Sequence, residues 1–167
     1  MKIFFIPEIS IGYLPYCIGE FGYPFDVLNN SSYGNFIFLN KKGDILFNLE
    51  DNSLHLIFNL VIGLEQALVH KKNEFFVFSL EPGYYVRIEI NKMHILMFVN
   101  EDKQHNFFLV DFINELQLCS SFCLHIFKFY LFNLKLSEKF LNIEKNLDNS
   151  FSSIKAYLDG NIENFNR

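Results

Sequence analysis

The chain has 167 residues, a formal net charge of -5, a sequence pI near 5.5, and half its residues hydrophobic, among them 22 Phe and 8 Tyr but no Trp. That length fits one domain spanning 1–167, and the apolar content supplies a core, which excludes global disorder. The acid excess and the absence of a Lys/Arg stripe argue against nucleic acid as a partner, because an acidic chain gains nothing from the phosphate backbone.

In chain order, Lys2–Ile6 predicts a strand ended by Pro7. Residues 8–34, with Pro15, Pro24 and several Gly among aromatics, predict a long irregular segment, of the kind that is functional or mobile in compact domains. It carries Glu8, Glu20 and Asp26, and up to Asp51 acids outnumber the opposing Lys2, Lys41 and Lys42, an excess that serves solubility or, on the alternative reading, would steer a basic partner inward. Two apolar runs around Asn40–Asp44 predict a hairpin with Gly43 available for positive φ. The spacing of Leu54, Phe58, Val61, Glu65 and Leu68 predicts a helix over about 53–71, capped by Asn52 or Ser53, with His70, Lys71 and Lys72 at its C-terminal end.

Three strands are expected next, at about 74–80, 84–91 and 94–100, the first two joined by Glu81-Pro82-Gly83. The run from Glu74 to Leu80 is apolar on both faces and predicts a central strand covered on both sides. In the second strand Tyr84, Val86, Ile88 and Ile90 alternate inward, which sets Tyr85, Arg87 and Glu89 on the opposite face.

From about 107 the chain reads as helical. Residues 107–136 form one core helix or a broken pair, interrupted by Asn114, Glu115, Gln117, His125, Lys128, Asn133 and Lys135, which argues against a membrane span. A last helix from Ser137 places Phe140, Ile143, Leu147, Phe151, Ile154 and Leu158 on one stripe and stops near Gly160. The expected fold class is α+β: a mostly antiparallel sheet of an N-terminal strand, a hairpin and a three-strand meander, packed by one central and at least two C-terminal helices.

Several groups have side chains suited to chemistry. Cys119 and Cys123 share a helix face at i, i+4, but zinc needs two further ligands and none has matching spacing, so both read as small buried hydrophobes. Cys17 is the one cysteine in the irregular segment and would be the nucleophile of a Cys-His pair. The five histidines give no reason to choose its partner. Glu50-Asp51 and Glu101-Asp102 fall at element ends, where solvation explains them. No phosphate-binding, dinucleotide, zinc-protease or serine-hydrolase motif is present, so no catalytic residue, metal or cofactor is expected. Three cysteines without a framework and an N-terminus unlike a signal peptide set a cytoplasmic expectation.

Tyr85, Arg87 and Glu89 admit two readings. One is a solvent face with an ion pair worth ~0–1 kcal/mol. The other is functional: Arg87 anchors a carboxylate with Tyr85 as a flat contact, or the face binds a protein, since Tyr and Arg are favoured at interface hot spots.

Residues 54–99 run from an amphipathic helix through an aromatic strand and a Glu-Pro-Gly turn to a Tyr/Arg-bearing strand and another apolar strand. This order resembles small single-domain bacterial proteins, among them immunity proteins encoded beside polymorphic or contact-dependent toxins. The resemblance implies an α+β module that neutralises a toxin, for instance a basic nuclease domain, by occluding it. It carries over no site residues. The expected function is a non-enzymatic protein-binding module docking through Tyr85, Arg87 and Glu89 or through Glu8, Glu20 and Asp26. The alternatives are a small enzyme using Cys17 or a loop-region His, and a subunit of a larger assembly held by exposed Phe.

Overall fold

A computed structural model of the chain describes residues 1–7, 33–79, 83–101, 103–130 and 138–165. The irregular segment, including Glu8, Cys17, Glu20 and Asp26, and the turn residues Glu81 and Pro82 lie outside the described residues.

The described chain is α+β, with its strands divided between two antiparallel sheets. The first sheet is β1 (Lys2–Pro7), β2 (Tyr33–Leu39) and β3 (Ile45–Asn52), in that spatial order. The β2–β3 hairpin is the predicted one. Asn40 Oδ1 accepts from the Lys42 and Asp44 N–H groups at 2.8 and 3.0 Å, and Gly43 takes φ 90. Ile3, Phe5, Phe36, Phe38, Phe47 and Leu49 alternate onto the buried face. Gly34 is required where β1 and β2 close: a Cβ there would lie 2.4 Å from the Ile6 carbonyl oxygen.

The helix α1 (Ser53–Val69) follows β3 without a break. Asn52 caps it, its side chain accepting the His55 N–H at 3.0 Å. Asn52→Ala is expected to lower stability by about 1 kcal/mol in chemical denaturation. Leu56, Ile57, Leu60, Val61 and Leu64 are almost wholly buried, so α1 is the spine of the core. Gly63 lets β4 approach closely, since a Cβ there would sit 2.2 Å from the Phe75 ring.

The second sheet is a meander of four strands rather than three: β4 (Glu74–Phe78), β5 (Tyr85–Asn91), β6 (His94–Val99) and β7 (Lys103–Phe108). β7 was not foreseen: a helix was expected from about 107, but residues 107 and 108 complete this strand. His105 and Phe107 instead alternate inward while Gln104, Asn106 and Phe108 face out. β4 corrects a second expectation. It is an edge strand with Phe76 and Phe78 exposed, because its apolar residues serve both the core and an open face.

α2 (Leu109–Tyr130) and α3 (Glu138–Phe165) complete the described elements. α3 runs through Gly160 rather than stopping there, and Leu147, Phe151, Ile154 and Leu158 form its buried stripe as expected. Ser150 Oγ donates to Glu65 Oε2 at 2.6 Å, which accounts for the one polar residue in the stripe of α1. Lys2 pairs with Glu115 at 2.7 Å and Lys128 with Glu144, tying α2 to β1 and to α3. Among the described residues, no helix is long and apolar enough to cross a membrane.

Candidate functional site

The outer face of the four-stranded sheet gathers the predicted residues. Register places Phe76 opposite Arg87, Phe78 opposite Tyr85 and Glu74 opposite Glu89 on β4 and β5, and Arg87 opposite Phe98 on β6. Tyr85, Arg87 and Glu89 therefore share one face, as their alternation requires.

Arg87 is the centre of this face. Its guanidinium lies 3.9 Å from the centroid of the Phe98 ring, a cation–π contact. Nε and Nη2 donate to the two carboxylate oxygens of Glu101 at 2.7 and 2.5 Å, a bidentate fork. Nη1 meets Glu89 and lies 3.9 Å from Glu74. The Arg87 side chain is only 16% exposed beneath these partners. Tyr85 Oη donates to Glu101 at 3.4 Å, and the rings of Phe76, Phe78 and Tyr85 lie 6.1–6.3 Å apart.

Glu101 reaches this position through its backbone. Asn100 and Glu101 both adopt left-handed φ, 51 and 62, a conformation uncommon for Glu. Asn100 anchors the turn, accepting the Tyr85 N–H at 2.9 Å and donating to the Gly83 carbonyl at 3.2 Å. The expectation that solvation explains the Glu101-Asp102 pair fails for Glu101, which is the strongest partner of Arg87. No local pattern marked it: the register places Phe98 opposite Arg87, and only the left-handed turn after β6 brings the Glu101 carboxylate back to the guanidinium.

Hydrogen bonds from Arg87 hold the Glu101 carboxyl below the usual carboxylate range, against an opposing desolvation, and the same bond raises Arg87 further. A depressed folded value stabilises the fold above the unfolded value, and that contribution disappears as pH falls through the folded one. An NMR pH titration is expected to find the Glu101 side chain titrating below an ordinary Glu, and Arg87→Met should return it to the ordinary range.

A second polar cluster sits where β3 enters α1. Asp51 is buried, accepting from Tyr84 Oη at 3.0 Å and from the Asn52 N–H at 2.6 Å, so solvation does not explain this residue either. His55 Nε2 lies 2.9 Å from the Phe78 carbonyl oxygen, and Asn59 Nδ2 approaches its Nδ1 at 3.2 Å. Both ring nitrogens of His55 thus have a polar neighbour, a backbone carbonyl on one side and the Asn59 amide on the other. No histidine falls in the irregular segment: His55 is on α1, His70 at its end, His94 on β6, His105 on β7 and His125 on α2.

Cys119 and Cys123 are buried on α2, as small hydrophobes. Burial first, then a hydrogen bond with Cys119, pushes the Cys123 thiol upward, which disfavours the nucleophilic thiolate. Among the described residues, no three His, Cys, Asp or Glu side chains gather in a way that could hold a metal ion.

The built surface is thus an aromatic sheet face around one guanidinium and three carboxylates. Comparison with known proteins finds no matching family model, no matching characterised protein and no matching solved structure.

Proposed function

We propose that this chain is a non-enzymatic protein-binding module, and within that class an immunity protein that neutralises a toxin by occluding it. The docking platform is the outer face of the four-stranded sheet, with Tyr85, Arg87 and Glu89 at its centre. The observation that supports this reading is the exposure of large aromatics there: Phe76 at 46%, Phe78 at 65% and Phe108 at 54%. Soluble domains normally keep such rings inside, and Phe76 and Phe78, side by side next to the charged cluster with Phe108 at the sheet's other edge, mark an interaction surface. Arg87 is fixed by its carboxylates, so it enters a complex with little rotamer freedom left to lose.

Glu8, Glu20 and Asp26 belong to the same proposal as a second acidic contact for a basic partner. A cytoplasmic setting for the encounter belongs to the same proposal. The test is co-purification with the product of the neighbouring reading frame, followed by affinity measured against salt. The expected result is a stable complex that weakens as salt rises. No complex removes the proposal, and salt-independent affinity removes its electrostatic part.

A further inference from the structure

β4 is the outer strand of its sheet, bonded to β5 on one side only. The parity of the ladder identifies its unused peptide groups. Ser79 N–H donates to the Tyr84 carbonyl and Ile90 N–H to the Asn73 carbonyl, so Asn73, Phe75, Val77 and Ser79 turn their peptide groups toward β5. Glu74, Phe76 and Phe78 turn theirs outward. The Phe78 carbonyl is occupied by His55. The N–H and C=O of Glu74 and Phe76 and the N–H of Phe78 are bonded to nothing among the described residues.

An open apolar edge is a template for another strand, and natural sheets blunt it with a bulge, a proline or an inward charge. β4 has no bulge and no proline, its register with β5 being unbroken from Glu74 to Phe78; α1 reaches this open edge only at its far end, through His55 at the Phe78 carbonyl, and leaves the outward peptide groups of Glu74 and Phe76 uncovered among the described residues. The residues with free peptide groups are also those whose side chains, Glu74, Phe76 and Phe78, stand exposed on the docking face.

Resting on the reading of the chain as a protein-binding module, we infer that β4 receives an extended segment of the partner by strand addition, and that this segment alternates basic and apolar residues. The charge pattern selects the basic residue. Glu74 and Glu89 lie directly opposite each other, an unfavourable pairing of like charges. Their shared cation is already committed to Glu101 through Nε and Nη2, leaving Nη1 for Glu89 and, at 3.9 Å, Glu74. The face therefore carries two carboxylates in excess of its one guanidinium. A Lys or Arg of the added strand opposite Glu74 supplies the missing charge, and aromatic or β-branched residues opposite Phe76 and Phe78 extend the apolar row. A second copy of this chain fits less well. Its own β4 brings only Glu74 as a charge, and its Lys71 sits at φ 55, where extended geometry ends.

The probe is a blocked peptide, Thr-Lys-Thr-Val-Thr-Phe-Thr, titrated into the full chain and followed by amide NMR and hydrogen exchange. The expected result is binding with protection of the Phe76 N–H. Affinity should fall about tenfold when the peptide Lys becomes Glu, and again when the peptide nitrogens facing β4 are methylated. Glu74→Lys, an exposed substitution, should reverse the preference in favour of the Glu peptide. No binding up to millimolar peptide, or binding indifferent to methylation, overturns strand addition. So does a dimer in light scattering that Glu74→Lys abolishes, which would assign the edge to a second copy. None of these outcomes by itself removes the proposed protein-binding module, which is tested separately by the co-purified complex.

Discussion

Phe38→Ala is expected to cost about 3–5 kcal/mol of folding free energy, the usual range for emptying a fully buried Phe site. Phe38 has no exposure, and its ring meets Phe47 edge-on at 6.0 Å, which in turn meets His105 edge-on at 4.8 Å. That chain of rings joins β2 and β3 in one sheet to β7 in the other. The loss therefore reaches beyond one side chain, to a ring contact between the two sheets. Against a total of roughly 5–15 kcal/mol for a domain of ordinary stability, the variant should unfold at a markedly lower denaturant midpoint. Urea unfolding followed by circular dichroism checks this. A shift of less than about 1 kcal/mol would mean that the sheets are held together elsewhere.

The second large effect is on binding and should leave the fold alone. Phe76→Ser with Phe78→Ser is expected to weaken the partner complex at least about a hundredfold, since buried aromatic hot spots cost roughly 2 kcal/mol or more each. Both rings are exposed in the free chain, so stability should move by no more than about 0.5 kcal/mol per site. Calorimetry of the complex, paired with denaturation of the free variant, separates the two. Loss of binding together with loss of stability would show that the rings hold the fold instead. Unchanged affinity would place the interface on another surface.

These two Phe sets show what a sequence of this kind discloses. The helix at 53–69, its Asn52 cap, the Asn40–Asp44 hairpin and the stripe of α3 were legible because each rests on local periodicity or turn chemistry. The division into inward Val86 and Ile88 and outward Tyr85, Arg87 and Glu89 was legible for the same reason. What failed depended on long-range placement. The strand Lys103–Phe108 opens with four polar residues and ends in Phe107-Phe108 directly before the apolar start of α2, so no period of two marked it and its end merged with the helix. The strand Glu74–Phe78 was read as doubly covered because exposed Phe and buried Phe look alike in a sequence, and only sheet order decides between them.

The site followed the same rule. Three of its side chains were recognised by alternation, while Phe76, Phe78 and Phe98 were not seen as part of the face and Glu101 was assigned to solvent. Glu101 joins the site because a left-handed turn brings it back over Arg87, a feature of turn geometry rather than of composition. Asp51 was missed for a similar reason. Its partner Tyr84 is 33 residues away, across the junction of α1 with the second sheet.

The most direct test of the docking platform is amide hydrogen exchange of this chain, free and in complex with the co-purified partner. New protection is expected at 74–78, 85–89 and 94–100, with α2 and α3 unchanged. Protection confined to the helices, or to the three-stranded sheet, would contradict it.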